Sequence, residues 1–591
     1  LIPALLPRSV FLTRAVPAVI SLAVPLTMCL ALRDFFKARL WWATPVFMAA
    51  VPAWFLHSRT AFETSLGVSM FSLFVYFYLC YRLKHRRYLP WAFLFGALAF
   101  YAYSPLQLVV ILTGVVLLVV DWRYHWADRR GLLRGLVILA LLAAPYVRFR
   151  LQYPQALSQH LTQLQSYWVS SQSLGVKIEE FLRRYVHGFD PAYWFLPNSS
   201  DLIRHQMKGM GHMRLMSLPF VLIGLIAAVR RLKDPAWRVV LIAMLAAPTG
   251  AALVDVAITR LLVMILPLCY LALLGMEQLI AWLAQKHTQL AARWVEVGLA
   301  LLWAVLAGSM TVNALKNGPI WYEDYGLYGM QWGGETLFEE IKAFRQTHPD
   351  KEIHLSPSWA NGTDVIARFF LGDPLPIQIG TIEPYTLYQL PLDERDVFVM
   401  TPEEYSWIPT TGKFTDVEVL QCLPYPNGEC GFYFVTLRYI DGIEEIFARE
   451  QAERRKPEQA ELELLGQKVS VSYSPLDIGQ IAQIFDGDPK TFIRSFEANP
   501  LEITLSFSQP VELRGVSVLI GNAASRLVVE VTTPDSQTPV EFSAEIGSQE
   551  AYRTLAVPFG KALQVQSLCL RLYDLAQSEP GHVHLWEVSL E

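Results

Sequence analysis

Two short constellations in this chain combine residues able to hold an anion and move a proton. His57, Ser58, Arg59 and Glu63 stand together at the start of one apolar run, and Asp255 and Arg260 at the start of another. A guanidinium offers a planar fork of donors that matches phosphate oxygens. A carboxylate beside it can orient the fork or accept a proton. Ionisable residues kept at the ends of membrane spans point to function. The competing reading is that Arg59 and Arg260 only snorkel to the water interface. Two isolated arginines on a face that otherwise avoids them tilt the balance towards function. His187, His205 and His212 lie in one long segment rich in aromatic, Gly and Pro residues, but their spacing fits no metal-ligand motif. Each reads as a structural or surface histidine. Cys422 and Cys430 bracket LPYPNGE between two strand-like runs. On the oxidising side of a membrane they would close a hairpin disulfide; otherwise they are two free thiols. Cys29, Cys80 and Cys269 sit in apolar runs and Cys569 in a strand-like one, as small core hydrophobes do.

The elements that must position these groups fall into two unlike halves. The chain has 591 residues, 53% of them hydrophobic and 17% charged, against about a quarter charged in ordinary soluble domains. Residues 1 to about 313 carry few acids, whereas the remainder has the composition of a globular protein. A bilayer-spanning helix needs about 20 apolar residues. Ten candidate spans follow: 10–31, 40–56, 61–81, 88–103, 105–121, 132–148, 215–230, 236–253, 258–283 and 294–312. Arg and Lys crowd alternate connections, including Arg82, Lys84, Arg86, Arg87, Arg129, Arg130, Arg230, Arg231 and Lys233. The rule that positive loops stay inside makes that face cytoplasmic. The 57–60 turn, the 149–213 segment, the 254–260 turn and everything after 313 then lie on the extracytoplasmic side. The net charge of −4 is small, and with no basic tract carrying interleaved aromatics nucleic acid is set aside as a partner. A transporter fits poorly, because no inverted repeat or matched pair of broken spans is visible.

The order of these elements resembles the GT-C class of integral membrane glycosyltransferases. Within it the chain is most similar to the family 39-like group of protein mannosyltransferases and aminoarabinose transferases of bacterial envelopes. The residues that carry the likeness are HSRTAFE (57–63), the run from FDPAYWF to VLIGL (189–225) and ITRLLVMILPLCYLALLGMEQL (258–279). The resemblance covers about residues 1–330. It implies transfer of a sugar from a polyprenyl-phosphate donor to an extracytoplasmic glycan or protein acceptor, in the plasma (cytoplasmic) membrane. Arg59 and Arg260 would face the donor phosphate. Glu63 would be a second acid, holding a divalent cation or orienting Arg59, and Tyr103 and His205 would line the same cavity. The family places its catalytic Asp-Glu pair in the first outer loop. No such pair precedes residue 57 here, so the catalytic acid is expected upstream of Leu1. Its absence altogether would make the chain a non-catalytic scaffold or complex subunit displaying a carbohydrate-binding domain.

After the membrane region (1–313, with its outer loop 149–213), alternating strand and helix patterns predict a small α/β domain over 314–445. Residues 446–465 are dense in charge and read as a solvated helix or linker broken at Pro457. From 466 to 591, short alternating strands predict a β-sandwich. The run IFDGDPKTFIRSFEANPLEITLSFSQPVELRGVSVLIGN (484–522), with the final HLWEVSLE, resembles the discoidin or coagulation-factor type C domain, a jelly-roll sandwich that often binds carbohydrate. The likeness implies a calcium site at Asp486, Asp488, Thr491 and Glu587, since calcium prefers oxygen ligands. A tight Asp-Gly turn without metal is the alternative. Ile493 stands where that family usually has a tryptophan.

Overall fold

The computed structural model describes residues 8–170, 172–286, 289–318, 325–488, 491–548, 552–577 and 581–591. The chain divides into two compact units. One holds residues up to Thr381 with Glu394–Trp407 and Val417–Thr436; the other holds Ile382–Asp393, Ile408–Asp416 and Leu437–Glu591.

Among the described residues, six helices are long and apolar enough to cross a membrane: Val10–Asp34, Glu63–Leu83, Arg129–Gln152, Pro235–Ala252, Ile258–Lys286 and Gln289–Asn317. Shorter apolar helices, Leu89–Ala102, Ser104–Val120 and Leu218–Arg230, complete a multi-pass helical bundle. Ile258–Lys286 is its axis, with 89% of its most apolar stretch buried, whereas Arg129–Gln152 and Gln289–Asn317, at 11%, turn apolar side chains outward to lipid. Around that axis the helices touch backbone to backbone. A side chain at Gly224 would meet the Leu271 carbonyl, and one at Gly275 the Phe220 carbonyl, the small-residue packing expected where lipid offers no hydrophobic drive.

The expected span 40–56 is not one helix. It breaks into Arg39–Ala43, Thr44–Ala49 and Pro52–His57. Pro52 lacks an N–H and forces Val51 into an extended conformation (φ −82°, ψ 112°), so the helix cannot run through. At the arginine-rich end of the bundle, Asp121 is buried between Arg82 (3.3 Å) and Arg238 and accepts from the Tyr78 hydroxyl (2.8 Å).

The rest of the first unit is an α/β layer. Strands Glu352–Leu355, Gln378–Ile379 and Asp396–Met400 run parallel, and Cys430–Tyr439 joins antiparallel. Helix Gly334–Thr347 buries Leu337, Phe338, Ile341 and Phe344, an apolar stripe at helical spacing. Strands Phe414–Pro424 and Cys430–Tyr439 are stapled by a Cys422–Cys430 disulfide with Cα atoms 5.8 Å apart.

The second unit is a β-sandwich. A seven-stranded sheet runs in the order 536–546, 525–533, 553–574, 501–520, 467–473, 458–464, with Glu587–Leu590 also pairing the 501–520 strand; a three-stranded sheet carries 584–585, 493–495 and 476–478. Bulges between Ser506 and Val511 and between Leu513 and Gly515 bend the longest strands. Leu501, Ile503, Leu505 and Phe507 alternate inward into one continuous core. The stretch 446–465, expected as a solvated helix or linker, is helical only as far as Arg454 and is a strand beyond Pro457. It forms the end of helix Ile443–Arg454 and then strand Glu458–Leu464, paired with Gln467–Tyr473. Ala460, Leu462 and Leu464 pack against the core while the glutamates between them face water. The charge hid a period-two pattern.

Candidate active site

The turns that share the arginine-poor end of the bundle converge. Tyr103, at the junction of helices Leu89–Ala102 and Ser104–Val120, stands beside Thr64 and Thr259 and lies within electrostatic reach of Arg260 and Glu63. The charges of Glu63 and Arg260, 197 positions apart in sequence, thus both act on one hydroxyl. Glu63 opens its helix after an extended Phe62, which sets a carboxylate on the first turn, where the helix dipole favours negative charge. Arg260 leans back over its own turn, its Nη1 donating to the Asp255 carbonyl at 3.4 Å.

A buried carboxylate fixes that turn. Asp201, in the 149–213 segment, accepts from the Ile258 backbone N–H through Oδ1 (2.7 Å) and from His212 Nε2 through Oδ2 (2.9 Å). His212 and Asp201 side chains are only 3% and 2% exposed. Asp201 therefore positions the residue two places before Arg260. Nothing in the local sequence marked it; an Asp after NSS reads as a loop residue.

His205 stacks on His57 with ring centroids 5.7 Å apart and lies 5.3 Å from the Phe62 ring. Burial, reinforced by the His57 ring, pulls the His205 pKa down to about 4. His205 Nδ1 and His57 Nε2 are buried without a hydrogen-bond partner among the described residues. Arg59 does not reach towards Glu63. It folds back, its Nε donating to the Phe55 carbonyl at 2.9 Å with the guanidinium 3.8 Å over the Phe55 ring. Arg14 lies close enough for the two positive charges to repel. His187 packs against Tyr193.

Glu63 also borders a cavity of about 770 Å³ between helix Val10–Ser21, the 61–66 stretch and helix Thr363–Leu371. Leu12, Val16, Pro17, Phe62, Leu66 and Phe369 make apolar walls, and Arg8, Glu63 and Arg368 supply the charge. An apolar trough with cations at its side suits a lipid chain that ends in an anion.

In the sandwich, the Asp486 carboxylate accepts from Thr491 Oγ1 (3.2 and 3.1 Å) and from the Asp488 N–H (2.7 Å), and Thr491 Oγ1 also donates to the Asp488 carbonyl (2.9 Å). The Glu587 carboxyl lies beside Asp486, and burial with that neighbour raises its pKa; its Oε1 is buried without a partner among the described residues. Among the described residues no group of three or more His, Cys, Asp or Glu side chains is gathered as around a metal ion. Loop carbonyls would have to complete a cation's shell. Next to this loop lie the Phe492, His584 and Trp586 rings, with centroids 5.2, 5.9 and 6.0 Å apart and planes within 35° of one another. These near-parallel rings pack against one another as one aromatic cluster. Tyr552, 66% exposed, stands at 69° to Trp586 as a wall.

No family model matches this chain, and no curated protein matches it. Among solved structures it is similar to ArnT from Cupriavidus metallidurans bound to undecaprenyl phosphate, at 13% identity and a TM-score of 0.44, over 75% of this chain and 86% of that one. It is also similar to a pectin binding carbohydrate binding module (12% identity, TM-score 0.17, 20% of this chain and 88% of that one) and to CBM32 of AlyQ in complex with 4,5-unsaturated mannuronic acid (15% identity, TM-score 0.17, 22% and 98%).

Of the site residues expected from sequence, Glu63, Tyr103 and Arg260 come together, His205 joins His57 and Phe62, and Arg59 turns away. Thr64, Thr259 and Asp201 complete the arrangement. Thr64 and Thr259 adjoin residues already singled out, and only their polarity at a span end could have drawn notice.

Proposed function

We propose that this chain is a membrane glycosyltransferase that moves a sugar from a polyprenyl-phosphate donor to an extracytoplasmic glycan or protein acceptor. The observation that carries this reading is that Glu63, at the edge of an apolar cavity bordered by Arg8 and Arg368, and Arg260 both lie within electrostatic reach of Tyr103. The polyprenyl chain fits the trough. The phosphate, which gains negative charge as the sugar leaves, would be held by Arg260 in the positive field of Arg14 and Arg59. The Tyr103 hydroxyl would donate to a phosphate oxygen, and Glu63 would orient the cations or a divalent ion that bridges them. On this reading the chain lies in the plasma membrane with the arginine-rich end of the bundle in the cytoplasm, and the sandwich's aromatic cluster of Phe492, His584 and Trp586 holds a glycan outside.

The test uses the purified full chain in nanodiscs with an undecaprenyl-phosphate-linked radiolabelled sugar. Each lost charge donor to a developing anion costs about 10²–10³-fold in rate. Arg260→Ala should lower transfer by at least 100-fold, and Arg59→Ala with Arg260→Ala further still. Unchanged transfer in the double variant would sink the proposal.

A further inference from the structure

Helix Leu174–His187 is amphipathic the wrong way round for water. Its side towards the protein carries Lys177, Glu180, Phe181, Arg184 and Tyr185, all half-buried, while Glu179 and Arg183 are exposed. The side turned away carries Leu174, Ile178, Leu182 and Val186, one stripe at four-residue spacing, with exposures of 65, 45, 53 and 65%. A helix in solvent hides such a stripe and exposes its charges.

Its location explains the inversion. The segment is pinned to the end of the span Pro235–Ala252: Ser166 Oγ donates to the Leu253 carbonyl (2.6 Å), the Tyr167 hydroxyl to the Ala252 carbonyl (2.7 Å), and the Tyr185 hydroxyl to the Leu245 carbonyl (2.8 Å). The helix therefore lies where a transmembrane span meets the surface. The helix Arg129–Gln152, which leads into this segment, ends in Val147, Phe149, Leu151 and Tyr153, all exposed. Both stretches turn apolar side chains outward.

The same helix reaches the candidate site. Arg184 bridges Glu180, packs 4.8 Å over the Tyr167 ring and stands 3.9 Å from Asp255. Asp255 heads the turn whose carbonyl receives Arg260. We propose that helix Leu174–His187 lies in the bilayer interface on its Leu174, Ile178, Leu182 and Val186 stripe and, through Arg184 and Asp255, holds the Arg260 turn in place. Its occupant is the lipid surface of the membrane that the bundle spans, since a helix with an apolar face and flanking cations settles at the headgroup boundary. The inference concerns an anchoring helix and stands whether or not the chain transfers sugar.

Two structural readouts on the full chain in phosphatidylethanolamine–phosphatidylglycerol nanodiscs test it. First, p-benzoylphenylalanine replaces Leu182 or, separately, Lys177, and the photoproducts are read by mass spectrometry. Lipid adducts at 182 and not at 177 are expected. Protein–protein adducts between two copies at 182, or no lipid adduct there, would overturn the proposal. Second, hydrogen exchange is followed in the peptide 255–262 of Leu182→Glu with Val186→Glu. A rise of at least fivefold there, with exchange in Ile258–Lys286 beyond residue 265 unchanged, is expected. Unchanged exchange at 255–262 would overturn the coupling, and loss of protection throughout the bundle calls for the milder Leu182→Ser, on which the same two results decide.

Discussion

Asp201 offers the sharpest test of how the candidate site is held. Asp201→Ala removes both acceptors from a place only 2% exposed. The Ile258 N–H and His212 Nε2–H would be left buried and unpaired, each at a cost of about 1–3 kcal/mol. Taking about 2 kcal/mol for the amide alone, and tenfold per 1.4 kcal/mol, local opening at Ile258 becomes roughly 30-fold more frequent. Hydrogen exchange of the 255–262 peptide, followed by mass spectrometry, reads that number directly. Asp201→Asn separates geometry from charge. Its carbonyl oxygen still accepts from Ile258, and its amide donates to His212 once that ring takes the other tautomer, so exchange should stay within about threefold of the parent, as for a near-neutral exchange of partners. Exchange in Asp201→Ala within threefold of the parent would refute the idea that this carboxylate pins the turn. A large effect in Asp201→Asn equal to that in Asp201→Ala would show that charge, not the pair of hydrogen bonds, does the holding.

Two further tests concern the scaffold. Burial with the neighbouring Asp486 carboxylate raises the Glu587 pKa above its ordinary 4.5. The folded state then binds this proton more tightly than the unfolded one, so its contribution is full below about pH 4.5 and is lost as pH rises through the raised value. Glu587→Gln lacks that loss, so the sandwich melting temperature of the variant should gain on the parent between pH 4.5 and 7; parallel pH profiles reject the assignment. Calcium added at pH 7 should raise the parent's melting temperature and remove the variant's advantage, and no shift with calcium rejects a cation in the 486–491 loop. Gly275→Val would press a branched side chain into the Phe220 carbonyl and, as overpacking costs about 1–3 kcal/mol, should lower the detergent-solubilised melting temperature by several degrees; Gly298→Val, where nothing lies within 4 Å, should not. Equal effects at the two glycines would contradict the close helix contact.

Hydropathy made the bundle legible because lipid permits few ways to satisfy a backbone. The break in the second span was written in Pro45 and Pro52, yet an apolar average over 40–56 concealed it. In the sandwich, alternation revealed the strands with large apolar residues. It failed at 458–464, where Ala460, Leu462 and Leu464 are outnumbered by polar residues and charge dominated the pattern. Glu63 and Arg260 stood out because ionisable groups are rare at span ends. Their meeting at Tyr103 depends on how helices far apart in sequence cross, and no local pattern encodes that. Asp201 was illegible for the same reason: its partner amide is 57 residues away, and an acceptor in a loop has no periodicity. Arg59 shows the converse, since its type and place suggested a phosphate ligand while its own Phe55 carbonyl and ring offered a nearer partner.

The strand Glu458–Leu464 closes one edge of the seven-stranded sheet, and its outward side chains include Gln459, Glu461 and Glu463. An unpaired strand edge is a template for any other strand that drifts alongside. Proteins confined to a membrane meet their own copies by sliding in a plane, so like edges encounter one another far more often than they would in free solution. A picket of carboxylates makes two such edges repel before their backbones can pair. The charge that looked like solvated filler thus keeps neighbouring copies from zipping together while leaving the inner face of the same strand free to serve the core.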